Sequence, residues 1–211
     1  MIRQLRKKLQ NGLISIFSKK MPPKHKEMDK REILNLLNRI DIELEGIQRK
    51  IKLYCVGGTI LVLSGQRTVS KDVDFILDRA DFRTISGCIA DADWKDHIKV
   101  DLFPDGHMPK YQYREYQTHA KEAPFLFKNI QLYFLDTIDL ILTKAIAGRS
   151  SDYEDIRRIA PSPDTVPKEE LLERFKNVKP NAGESPEIER KFNKFISDLN
   201  ICLSLPGLKK E

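Results

Sequence analysis

Apolar residues return every three or four positions along some stretches of this chain and every second position along others. Ile2, Leu5, Leu9, Leu13, Ile16 and Phe17 keep a helical spacing with cations between them. Met21-Pro22-Pro23-Lys24 ends that pattern, because proline cannot continue a helix and restricts the residue before it. From Lys26 to about Lys50, Ile33, Leu36, Leu37, Ile40, Leu44 and Ile47 mark one face of a long helix. A short strand is predicted over Ile51–Val56, ending at Gly57-Gly58, and an apolar helix over Thr59–Ser64, ending at Gly65. Asp72 to Leu77 alternates polar and apolar positions as a strand does, a helix follows over Asp81–Ala90, and Ile98 to Phe103 is another strand closed by Pro104.

The polar, tyrosine-rich stretch from Asp105 to Glu122 reads as a loop or irregular hairpin, and Ile130–Leu135 as a further strand. Helices are predicted over Thr137–Ala147, Asp152–Ile159, Pro167–Val178 and Pro186–Leu203, the last started by Ser185 as cap and Pro186 in its first turn. The expected fold is α/β (α+β): a small mixed sheet flanked by helices, followed by a helical C-terminal third. Residues 1–25 form a basic amphipathic arm and linker, 26–160 the main domain, and 161–211 the C-terminal helical region. No internal repeat is visible.

Composition narrows the function class. The 211 residues carry a net charge of +6, but residues 1–26 hold eight Lys/Arg and no acid. The remaining 29 Lys/Arg face 31 Asp/Glu, so the basicity belongs to the tail and not to the fold. Three readings of the arm stand: a helix packed on its own domain or a partner, an RNA-contacting arm, and, last, a membrane-surface helix. No run approaches the roughly 18 apolar residues that span a bilayer, and the short apolar stretch Gly12–Phe17 lacks the features of a secretory signal. Cys55, Cys88 and Cys202 are odd in number and far apart, which suits reduced thiols in a cytoplasmic protein.

The candidate chemistry begins with Asp72 and Asp74. On a strand, residues i and i+2 share a face, so both carboxylates project together, roughly 6–7 Å apart along the backbone. Like charges so close raise a pKa unless a cation neutralises them, and Mg²⁺ takes carboxylate oxygens together with substrate phosphates. Asp101 sits between apolar neighbours in Lys99-Val-Asp-Leu-Phe103; if its strand lies beside Asp72–Leu77, its carboxylate reaches the same patch. Three acids suffice for two metal ions in phosphoryl chemistry. A solvated strand face would explain a lone D-x-D equally well. Upstream, Val56-Gly57-Gly58-Thr59 closes a strand and opens a helix, where free N–H groups favour an anion, although a tight turn needs glycines too.

The combination resembles the nucleotidyltransferase superfamily related to DNA polymerase beta: a glycine pair, thirteen intervening residues, Asp-x-Asp, then one more strand carboxylate. The segment from Asp139 to Ile156, with Lys144, Ala145, Arg149, Asp152 and Asp155, is similar to the signature of AbiEii-type, toxin–antitoxin-associated nucleotidyltransferases. The resemblance covers about residues 50–157. It implies that Gly57, Gly58 and Thr59 hold a nucleoside triphosphate, and that Asp72 and Asp74 bind Mg²⁺ (or Mn²⁺). It makes Asp101 a metal ligand or the base that activates an acceptor hydroxyl. Lys144 would reach the phosphates, Arg67 and Ser70 would lie beside them, and Asp152 and Asp155 would orient Lys144, Arg149 or the acceptor. Plainer readings are open: Asp152 as a helix N-terminal acid, and Asp155 with Arg158 as a surface pair.

The implied activity is transfer of a nucleoside monophosphate from an NTP to a hydroxyl. The acceptor is an RNA 3′ end (tRNA among them) or a protein side chain, with a cognate toxin or antitoxin as possible partner; the alternatives are an antibiotic-type small-molecule acceptor and an inactive partner-binding module of the same fold. His25, His97, His107 and His119 lack metal-ligand spacing. Tyr111, Tyr113 and Tyr116 could stack bases or simply pack.

Overall fold

A computed structural model of the chain describes residues 26–90, 98–105, 111–113, 116–160, 166, 168–180 and 185–204. The basic arm read over residues 1–25 lies outside them, as do Trp94, His97, His107 and the side chains of Tyr111, Tyr113 and Cys202.

A two-residue strand, β1 (Met28–Asp29), leads into helix α1 (Lys30–Glu43). Asp29 decides where the helix begins. Its Oδ1 accepts the Glu32 N–H at 2.8 Å, while Glu32 Oε2 accepts the Asp29 N–H at 3.0 Å, a reciprocal cap that satisfies two orphaned donors. The helix is thus shorter at both ends than its apolar period alone implied. Ile33, Leu36, Leu37 and Ile40 bury its inner face.

The chain continues through β2 (Ile51–Val56), α2 (Gly57–Leu63), β3 (Val69–Ser70), β4 (Val73–Leu77), α3 (Arg79–Ala90) and β5 (Val100–Pro104). After β6 (Tyr111–Tyr113), α4 (Tyr116–His119) and β7 (Lys121–Glu122) come β8 (Ile130–Phe134), α5 (Thr137–Ala147), α6 (Ser150–Ile159), α7 (Lys168–Lys176), β9 (Val178–Pro180) and α8 (Ser185–Ser204).

Five strands form one mixed sheet in the order β5-β4-β2-β8-β7. Strand β2 runs antiparallel to β4 and parallel to β8, and β4 runs parallel to β5. Such a central strand is covered on both faces, so β2 buries every residue except Lys52. Asp41, on α1, fixes where β8 enters: its carboxylate accepts the N–H groups of Lys128, Asn129 and Ile130 at 3.0, 2.7 and 2.9 Å. Across β2, β4 and β5 the register aligns Val56, Asp74 and Asp101 in one row. That row is what places the site.

Two apolar clusters hold the molecule. One joins the sheet to α1, α2 and α3; the other packs α5, α6, α7 and α8 around Ile141, Ile146, Ile156, Phe192 and Phe195. Helix α5 serves both, with Leu140 in the first cluster and Ile138, Ile141 and Leu142 in the second. Burying each such side chain contributes roughly 1.5–3 kcal/mol. Phe175 stacks on Phe192 with ring centroids 3.7 Å apart. Buried Arg174 of α7 lies 2.7 Å from Asp136 and 3.0 Å from Asp139, tying the C-terminal helices to the start of α5.

The architecture is the expected mixed sheet with a helical C-terminal part. The stretch expected as a loop or irregular hairpin carries β6, α4 and β7. β6 pairs antiparallel with the distant β9 in a small separate ribbon, and a partner that far along the chain leaves no local pattern to read. Among the described residues, no helix is long and apolar enough to cross a membrane.

Candidate active site

The site begins at the turn from β2 into α2. Val56 is extended, and Gly57 then takes φ +61°, in the left-handed region that L side chains avoid. Space forbids a side chain there as well: a Cβ on Gly57 would lie 2.4 Å from Asp74 Oδ2, and one on Gly58 would lie 2.4 Å from Ser70 Oγ. The glycine pair lets the turn press against the strand that carries the acids. Thr59 stands apart from the phosphate role implied for it. It is fully buried beneath the site, and its Oγ1 accepts the Asp74 N–H at 2.8 Å. Its visible work is to hold the Asp74 backbone in place.

Asp72 and Asp74 share a face of β4 and its lead-in, and Asp74 lies directly beside Asp101 in the parallel ladder. One oxygen from each of the three carboxylates falls within 4.8 Å of the others. Among the described residues, this is the one group of His, Cys, Asp or Glu side chains so placed. Burial pushes Asp74 up to about 7, and the Asp72 and Asp101 carboxylates push in the same direction, while Lys99 and Lys144 pull against them. Lys99 projects into the cluster: its Nζ donates to Asp101 Oδ2 and lies 3.3 Å from Asp72 Oδ2. The hydrogen bond to Asp101 is the main reason its ammonium is held above the usual lysine range.

This donor set consists of carboxylate oxygens alone, converging, partly open to the cleft and short of positive charge. It fits a hard divalent cation such as Mg²⁺ or Mn²⁺, which prefers oxygen ligands and completes its shell with phosphates and water.

Helices α5 and α6 build the facing wall. Helix α5 ends at Gly148, whose left-handed φ of +66° turns the chain so that α6 starts beside Lys144. Lys144 Nζ donates to Asp155 Oδ2 at 2.6 Å and lies 3.5 Å from Asp152 Oδ1, with all three residues buried. Arg149 makes a two-pronged contact with Asp152, through Nε at 2.8 Å and Nη2 at 3.2 Å. Arg158 donates to Asp155 at 2.9 Å, and Arg67 lies 3.6 Å from the same carboxylate. The plainer readings of Asp152 and Asp155 are therefore present in the geometry: a first-turn acid and an i,i+3 pair. They coexist with the Lys144 contacts, and burial makes neither a surface feature.

Between the walls lies a cleft of about 520 Å³. Its lining includes Gly57, Gly58, Arg67, Ser70, Asp72, Asp74, Asp101, Lys144, Asp152 and Asp155, every candidate from the sequence except Thr59. Lys71, Lys99, Phe103 and Ser151 also line it and were not singled out beforehand. Strand alternation around Asp101 was the signal for two of them, since Lys99 and Phe103 lie two residues to either side. Tyr116 is buried edge-on against Tyr54 at 5.1 Å, so it packs the sheet. Cys55 is buried and Cys88 is half-buried.

Comparison with known proteins gives one match. Residues 31–165, well over half of the chain, match the model of a family described as nucleotidyltransferase of unknown function (DUF6036). No curated protein and no solved structure matches the chain.

Proposed function

From the premise that the chain belongs to this nucleotidyltransferase family, we propose that it transfers a nucleoside monophosphate from an NTP to a hydroxyl acceptor with the help of a divalent cation. The observation that carries this reading is the juxtaposition of Asp74 with Asp101 across β4 and β5, facing Lys144 over a cleft large enough for a triphosphate.

Each residue then has a task. Asp72 and Asp74 would hold the cation, and Gly57 and Gly58 let the turn lie against Asp74 and Ser70, which brings its backbone N–H groups beside the acids for the phosphates. Lys144, Arg67 and Arg149 supply positive charge to the triphosphate; Lys144 is kept in place by Asp152 and Asp155. Asp101 orients the acceptor hydroxyl and accepts its proton. The hydroxyl oxygen bonds to the α-phosphorus, the bond to the β-phosphate oxygen breaks, and diphosphate leaves with that electron pair. Bound magnesium would supply neutralisation of the phosphate charge. The protein's own contribution is positioning and a prebuilt field.

We assign the acceptor to RNA ends or a protein side chain in a cytoplasmic toxin–antitoxin setting. Support comes from the clustering of Lys144, Arg149, Asp152 and Asp155 on one wall, and from the seven cations that precede the domain in the sequence. Residues 26–160 would be the catalytic unit and 161–211 the part that shapes the acceptor side. The test uses each NTP labelled in turn at the α- and the γ-phosphate, with Mg²⁺, against bulk tRNA and against cell lysate. The α-label should enter RNA or a single protein band while the γ-label leaves as diphosphate. Transfer of the γ-label would make the chain a kinase and end this reading.

A further inference from the structure

We propose that Lys99 is a resident cation of this site, filling the place between Asp72 and Asp101 that a second divalent ion would otherwise take, so that the enzyme works with one divalent ion per chain. The inference rests on the nucleotidyltransferase reading above and concerns how the three acids are shared.

Lys99 sits two residues before Asp101, so strand alternation points both side chains to the cleft face. Its ammonium is engaged with two of the three acids, donating to Asp101 Oδ2 and lying 3.3 Å from Asp72 Oδ2. Asp74 lies outside both of these contacts. The pairing divides the cluster unequally: Lys99 engages Asp101 and one oxygen of Asp72, and leaves Asp74 to a cation from solution. Three carboxylates and one ammonium leave two negative charges, the charge of a single divalent ion.

A two-ion site places its cations roughly 3.5–4 Å apart, both bridged by shared carboxylates. An ammonium already within hydrogen-bonding range of the bridging oxygens repels a second ion from that space. It also does part of that ion's work. An ammonium has three donors; two are engaged by Asp101 and Asp72, and since Lys99 lines the cleft the third is left for an oxygen of the acceptor or of the α-phosphate. Lys99 is in this sense a positioning residue for the acceptor.

Counting bound Mn²⁺ by electron paramagnetic resonance, in the presence of a non-hydrolysable α,β-methylene NTP analogue, tests the assignment without relying on turnover. The wild-type chain should bind one ion. Lys99→Met, which keeps the apolar stem and removes the charge, should bind two, and Lys99→Arg should return the count to one. Two ions in the wild type, or one in Lys99→Met, would overturn the role of Lys99 while leaving the nucleotidyltransferase reading intact. No analogue-dependent ion in any of the three proteins would overturn that underlying reading as well.

Discussion

On the strand wall of the cleft, three carboxylates converge with one lysine among them, and Asp74 is pushed up to about 7, first by burial and then by its two neighbouring carboxylates. On the helix wall, Asp152 and Asp155 are more deeply buried, yet each is matched: Lys144 contacts both, and Arg149 and Arg158 hold one each. The difference shows that what burial does to an acid depends on the charges built in around it. A buried acid with its cations built in is scaffolding for the lysine it holds. An acid buried among its own kind lacks that match, which a cation from solution would supply.

The largest effect should come from the strand wall. Asp74→Asn should lower nucleotidyl transfer by at least about a thousandfold, the scale seen when a preorganised charge at the reacting centre is lost. The metal-free protein should nevertheless melt higher than wild type, because a crowded charge is gone; steady-state kinetics and a thermal melt check the two halves.

A pH series sharpens the same point. Asp74 has its folded value raised from 3.8 to about 7. Between those values the folded state binds the extra proton, so metal-free stability should fall as pH rises from about 4 through about 7 and then level off. Activity at limiting Mg²⁺ should rise over the upper part of that window, as the carboxylate becomes free to bind metal. Asp74→Asn should flatten the stability profile; an unchanged slope in that variant would assign the effect to another group.

The helix wall should answer differently. Lys144→Met strands two buried carboxylates and should cost about 3–5 kcal/mol in urea unfolding, nearer the lower figure because Arg149, Arg158 and Arg67 stay close. Adding Asp155→Asn to that variant should recover stability but not activity, which separates the scaffold from the chemistry. Gly57→Ala should be milder in stability, costing about 1–2 kcal/mol for the left-handed backbone, yet severe in activity because its Cβ would displace Asp74. Arg149→Ala should be the smallest in stability, about 1 kcal/mol, because the arginine itself is exposed and Lys144 still faces the buried Asp152, while raising KM for the NTP.

Most of the strand wall was legible in the sequence. Alternation marks β4 and β5, and D-x-D on a strand must put both acids on one face. What joined Asp101 to them was the pairing of β4 with β5, which alternation permits but does not dictate. Lys99 was harder: a lysine beside an acid on a strand looks like a solvated pair until the neighbouring strand brings Asp72 to it. Thr59 misled, because a hydroxyl after a glycine pair looks like a phosphate ligand, whereas here it faces inward to hold the Asp74 N–H. The capping role of Asp29 and the ribbon formed by β6 and β9 were invisible for a related reason, the first depending on a local cap inside an apolar period and the second on a remote partner.

If the strand carboxylates take a cation and a triphosphate together, each should strengthen the binding of the other. Thermal shift with Mg²⁺ alone, NTP alone and both tests it most directly. The melting temperature should rise far more with the pair than by the sum of the two separately, with no such synergy in the Asp72→Asn, Asp74→Asn double variant. Equal stabilisation by NTP without metal, or synergy that survives in the double variant, would contradict it.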